Sequence, residues 1–119
     1  MRKIEHIGIA VKDIEASNKV FEKLFGKSNY KVEEVESEGV KTSFFQVGEN
    51  KIELLEATNP DSAIAKYLER NREGIHHIAF DVEDINEEVK RLKEEGFIIL
   101  NETPKKGADN KLICFPKKI

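Results

Sequence analysis

Apolar and polar positions alternate with period two in "EHIGIAV" (residues 5–11) and again in "HHIAFDV" (76–82). Each alternation soon gives way to an aspartate and then to apolar positions three and four apart. Period two belongs to a half-buried strand and period 3.6 to an amphipathic helix, so each segment predicts a strand followed by a helix. "DIEASNKVFEKLFG" (13–26) sets Ile14, Val20, Phe21, Leu24 and Phe25 along one helical stripe, and "DINEEVKRLKEEG" (84–96) does the same with Ile85, Val89 and Leu92. Asp13 and Asp84 stand where N-caps belong, because a short carboxylate accepts from the open N–H groups of a first turn. Gly26 and Gly96 stand at the helix stops.

Sliding the chain along itself by 71 places lays His6, Ile7, Val11, Asp13 and Ile14 on His77, Ile78, Val82, Asp84 and Ile85, a two-unit repeat. In the first unit, strands are predicted at "YKVEEVE", "KTSFFQV" and "KIELLEA", the last two joined through "GEN" as a hairpin. In the second, "FIILNE" and "KLICF" follow, separated by the turn-rich "TPKKGADN". Between the units, "TNPDSAIAKYLERNREG" reads as a capped helix with Ile64, Ala65 and Leu68 facing inward. The expectation is one α+β domain of paired βαβββ modules: module one over about 1–57, a linking helix over about 58–73 and module two over about 74–119. The counterpart of Glu53 would fall near position 124, beyond Ile119, so the second module is expected to lack its final strand.

Composition narrows the function. A chain of 119 residues suits one core. A net charge of −3 with mixed signs offers no basic stripe for a phosphate backbone, which excludes nucleic acid as a partner. The apolar runs are far shorter than the roughly 20 residues that span a bilayer, and the N-terminus has no signal-peptide pattern, so no membrane is expected and a cytoplasmic location is. The single cysteine, Cys114 in "LICF", allows no internal disulfide and reads as a core residue.

The candidate chemistry lies on the repeated strands. His6 shares a face with Gly8 and Ala10, and His77 shares one with Ala79, so small neighbours leave room beside each imidazole, which suggests a cavity. Glu53, between Ile52 and Leu54, is a carboxylate in an apolar strand, costly there unless paired, hydrogen-bonded or bound to a cation. His6, His77 and Glu53 together suit Fe, Co, Ni, Mn or Zn. His76, on the bulky face, is read as structural, and the charge runs "EVESE" and "NEEVKRLKEE" as solvated faces.

The segments "HIGIAVKDIEAS", "VGENKIELLEATNPDSAIAKYL", "REGIHHIAFDVEDI" and "PKKGADNKLICF" resemble the methylmalonyl-CoA epimerases of the vicinal oxygen chelate superfamily, which includes glyoxalase I. The resemblance runs along nearly the whole chain and implies paired βαβββ modules around a divalent metal, with ligands at His6, Glu53 and His77. The family's fourth ligand is a glutamate of the last strand, which also moves a proton, and no residue of this chain is assigned that role. It further implies an acyl-CoA substrate and a homodimer. Lys111, in a loop with Lys105 and Lys106, is the candidate for the substrate's carboxylate or phosphates. The competing function is a binding protein of the same fold that holds a small ligand or metal without turnover.

Overall fold

The computed structural model describes residues 1–99 and, beyond them, the backbone of three short strands, 105–106, 112–113 and 116–118. The chain is α+β and divides into two compact units, Ile4–Phe80 and a second formed by Met1–Lys3 with Asp81–Ile119.

Unit Ile4–Phe80 holds a five-stranded sheet in the order β2-β3-β4-β1-β5, with β1 Lys3–Ala10, β2 Lys31–Val35, β3 Val40–Val47, β4 Asn50–Ala57 and β5 Gly74–Asp81. Strand β3 is antiparallel to both β2 and β4, whereas β1 runs parallel to β4. A parallel neighbour requires a crossover, which helix α1 Ile14–Phe25 begins. Asp13 starts it by accepting from Glu15 N and Ala16 N at 3.0 and 3.1 Å. Gly26, at φ 73°, ends it in the left-handed conformation that a Cβ disfavours. Gly48, at φ 60°, turns β3 into β4 through a two-residue loop.

Register assigns the sheet's two faces. Opposite Gly8 stands Glu53, and opposite Glu53 stands Phe44; one step along, Ala10, Leu55 and Thr42 form the next row. On the other face, Val11, Phe45 and Leu54 are buried against Ile14, with Ile9, Ile52, Phe21 and Phe25 packed around them. The stripe of α1 is therefore Ile14, Asn18, Phe21 and Phe25, with Asn18 accepting a hydrogen bond from the buried Ser43 hydroxyl. Val20 and Leu24, expected in that stripe, are 62% and 69% exposed. Each sits one residue, about 100°, round the helix from a partly buried phenylalanine packed on the sheet, too far to reach the sheet itself.

On the first face, Ala10, Val40, Leu55 and Ile64 form a second cluster, and Ile64, Tyr67 and Leu68 come from helix α2 Ala63–Arg70. Ser62 caps α2 by accepting from Ala65 N at 3.1 Å. Ile64 and Leu68 face inward as expected; Ala65 is only partly buried. This cluster covers the Ala10–Leu55 end of the face, and His6 and Glu53 lie along the same strands toward the other end.

In the second unit, helix α3 Ile85–Glu94 is capped by Asp84, buries Leu92, and is followed by β6 Phe97–Ile99. Strand β6 pairs antiparallel with β9 Pro116–Lys118, a strand the sequence pattern does not foresee. Lys105–Lys106, expected within a turn, form β7 against β8 Leu112–Ile113. Strand β5, expected to open module two, falls in the compact unit of β1–β4 because it is hydrogen-bonded beside β1. Among the described residues no helix is long and apolar enough to cross a membrane.

Candidate metal centre

Strands β1 and β5 bring the two repeated histidines together. His6 Nε2 and His77 Nε2 lie 2.9 Å apart, with ring centroids at 5.1 Å and planes at 85°. Glu53, 4% exposed on β4, sets Oε2 3.2 Å from His6 Nδ1. All three residues expected at a metal are thus gathered at one place, though Glu53 meets the opposite nitrogen of the His6 ring from the one that faces His77.

The close approach of the rings depends on Gly8. A Cβ built there would stand 2.3 Å from His77 Cε1, 2.6 Å from Nε2 and 2.7 Å from Nδ1. The space that Gly8 leaves is not empty, as its small size suggests in the sequence, but is filled by the His77 imidazole.

Two residues join the site without having been expected there. Glu5 Oε1 lies 2.9 Å from His6 Nδ1, and its Oε2 lies 3.2 Å from Lys51 Nζ. Strand alternation places Glu5 and His6 on opposite faces and so hides the contact. The signal that could have found it is the adjacency of the two residues together with Lys51 opposite His6 in the register. Glu5, His6 and Glu53 form a group whose donor atoms lie within 4.8 Å of one another, an arrangement that can hold a metal ion. His76, read as structural, contacts His77 through Nδ1···Nδ1 at 2.9 Å and packs edge-on to Tyr67 with ring centroids at 5.0 Å. Lys111, expected at the substrate, and Cys114 lie outside the described residues.

The electrostatics follow from burial. Removal from water, joined by charge on His6 and His76, pushes the His77 imidazolium down to about 4, so His77 is neutral at neutral pH with a lone pair to offer. Burial also lowers His76. For Glu5, burial works upward, but the hydrogen bonds from His6 and Lys51 outweigh it and hold the carboxyl below its ordinary value. An ionised carboxylate only accepts, so a neutral His6 carries its proton on Nδ1 and turns a bare Nε2 toward His77.

The donor set and spacing fit a cation. The 2.9 Å between the two imidazole nitrogens is hydrogen-bond spacing, and two nitrogens each about 2.0–2.1 Å from a tetrahedral ion would stand roughly 3.3–3.4 Å apart, so the rings need part by only about 0.4–0.5 Å to admit one. Neutral imidazole with carboxylate is also the chemistry of first-row divalent metals.

Residues 5–115 match the Glyoxalase/Bleomycin resistance protein/Dioxygenase superfamily, and the chain belongs to it. Within that superfamily its place is among the methylmalonyl-CoA epimerases, a family of isomerases. It is 37% identical over 115 residues to the ethylmalonyl-CoA/methylmalonyl-CoA epimerase of Cereibacter sphaeroides, covering 95% of this chain and 86% of that one. It is 35% identical to the uncharacterized protein YqjC of Bacillus subtilis, over 97% of this chain and 82% of that protein. It spans 65% of the length of the mitochondrial epimerase of Bos taurus, at 33% identity over 95% of its own. A solved structure of methylmalonyl-CoA epimerase in complex with methylmalonyl-CoA and NH4+ superposes with a TM-score of 0.92 at 31% identity, covering 98% of this chain and 85% of that one.

Proposed function

We propose that the chain is a metal-dependent epimerase that interconverts (R)- and (S)-methylmalonyl-CoA, with a divalent ion held by His6, Glu53 and His77. The observation that carries this reading is the 2.9 Å approach of two imidazole nitrogens from equivalent positions of a duplicated strand, beside a buried carboxylate. Relatives named for the same reaction support the choice of substrate.

Epimerisation removes a proton from the carbon between the thioester carbonyl and the carboxylate and returns one to the opposite face. The difficulty is the weak acidity of that carbon, since charge develops on the thioester oxygen as the proton leaves. When bound, the ion supplies Lewis acidity to that oxygen and fixes the substrate's orientation. His6 and His77 bring their Nε2 atoms within 2.9 Å of each other, where both would serve as ligands, and Glu53, beside His6 Nδ1, would add negative charge in a buried setting where it acts strongly. The two proton-transfer groups are not assigned to side chains.

A homodimer belongs to the same reading. Strand β5 stands at the end of the sheet order, and Ile78 and Phe80, on one face of it, are 48% and 51% exposed, apolar surface that a second copy would cover. Light scattering that finds only monomer at high concentration removes this part.

The decisive assay is exchange of the methyl-bearing carbon's proton in D2O, with the chain loaded with Co2+ or Mn2+. Deuterium should enter methylmalonyl-CoA in the presence of wild-type chain and not of His77→Ala. A wild-type chain that binds the ion and catalyses no exchange would instead be a binding protein of this fold.

A further inference from the structure

Strand β5 carries its histidines as a pair, and the first of them touches the second on the side away from His6. Exposure along β5 alternates except at this pair: Ile75 and Ile78 are exposed, while His76 and His77 between them are both half-buried. Neighbours in a regular strand point to opposite faces. Here the two rings meet instead, Nδ1 to Nδ1 at 2.9 Å, with centroids 5.1 Å apart and planes at 88°.

That contact has room for one proton. Two N–H groups cannot point at each other and two lone pairs do not attract, so one Nδ1 donates and the other is bare. An ion on His77 decides which. A neutral imidazole has a single N–H, so once the Nε2 lone pair of His77 is given to a metal, the proton of that ring stands on Nδ1. His77 is then the donor, the bare Nδ1 belongs to His76, and the proton of His76 stands on its own Nε2. The place of the His76 ring is fixed from the helix side. Tyr67 of α2 donates its hydroxyl to the carbonyl of Ile75 at 3.1 Å, and its ring lies 5.0 Å from that of His76 at 87°. The phenol is thus tied to the residue before the pair, and its ring limits the turning of His76.

We propose that His76 is a positioning residue of the metal centre: its Nδ1 accepts the Nδ1 proton of His77 and so holds that ring with Nε2 bare and directed toward His6. This rests on the metal centre proposed above and gives a task to the histidine that the sequence pattern leaves as structural. An acceptor on the outer nitrogen of a ligating histidine fixes the ring's tautomer and orientation and raises its basicity, and losing such a partner typically weakens metal affinity about 10–100-fold.

Two substitutions separate this hydrogen bond from packing. His76→Phe keeps an aromatic ring against Tyr67 and offers no acceptor, whereas His76→Asn gives up the ring and sets a carbonyl oxygen near the place of Nδ1. In calorimetric titrations with Co2+, His76→Phe should bind about 10–100-fold more weakly than wild type with stoichiometry kept, and His76→Asn should recover part of the loss. Wild-type affinity in His76→Phe, or weaker binding by His76→Asn than by His76→Phe, overturns the proposal and leaves the metal centre standing. A second measurement needs no substitution: long-range proton–nitrogen spectra of the wild-type chain loaded with Zn2+ should place the proton of His77 on Nδ1 and that of His76 on Nε2. A proton on Nδ1 of His76 in the loaded chain also overturns the proposal. A wild-type chain that takes up neither ion removes the metal centre itself, and this role of His76 with it.

Discussion

Gly8→Ala is a small change with a large expected consequence. The added Cβ would sit 2.3 Å from His77 Cε1, and ordinary contact begins at 3.4 Å, so the ring must retreat by about 1.1 Å or the strands must part. The ring has little freedom to do so, because His6 and His76 each stand at 2.9 Å from one of its nitrogens. A methyl forced into a filled space costs about 1–3 kcal/mol. A retreat of that size also breaks the 2.9 Å pairing of the Nε2 atoms, so an ion held by both rings should bind more weakly. Urea unfolding of the metal-free variant should show the stability loss, and a Co2+ titration the affinity loss. Wild-type values in both would refute the account, because Gly8 would then not be what admits His77. A loss of stability with unchanged affinity would show that the ring is not a ligand.

Metal-free stability should depend on pH through His77. Its folded value of about 4 lies below the unfolded 6.5, so the unfolded chain binds the proton first and stability falls as pH drops through that window. The loss should be ~2 kcal/mol between about pH 7 and pH 5 and approach ~3 kcal/mol near pH 4. Urea titrations at several pH values measure it, and a His77→Gln curve as steep as wild type would contradict the assignment. Among the described residues, Thr42 Oγ1 is the buried side-chain polar atom without a hydrogen-bond partner. Thr42→Val removes an unsatisfied hydroxyl at nearly constant shape and should be neutral or stabilising by up to about 1 kcal/mol in thermal unfolding; a clear destabilisation would mean that the hydroxyl has a partner. Asp13→Ala leaves Glu15 N and Ala16 N without their cap and should cost about 1 kcal/mol. A midpoint unchanged from wild type would place the start of α1 elsewhere.

What the sequence disclosed was what is encoded locally or by repetition. Asp13, Asp84 and Gly26 mark helix ends through one or two turns of backbone, and they stand in the structure as read. The convergence of His6 and His77 was legible because a duplicated strand returned the same residue to an equivalent place. What remained hidden needs distances across the sheet. Val20 and Leu24 look like core until the angular position of Phe21 and Phe25 is fixed by Phe45. Gly8 reads as the wall of a cavity until the neighbouring strand puts an imidazole into it. Glu5 gave no signal in the sequence, because alternation describes where a Cβ points and a glutamate is long enough to bend back. The pairing of Pro116–Lys118 with Phe97–Ile99 was illegible for a related reason, since three residues are too few to show a period.

The central claim is that His6 and His77 hold one cation between them. Its most direct test is equilibrium dialysis of the purified chain against Co2+, with metal counted per chain, for the wild type and for a His6→Ala, His77→Ala double variant whose fold is checked by circular dichroism. The account predicts about one ion on the wild type and none on the double variant at the same free concentration. A wild-type chain without metal, or a double variant that keeps its ion, would contradict it.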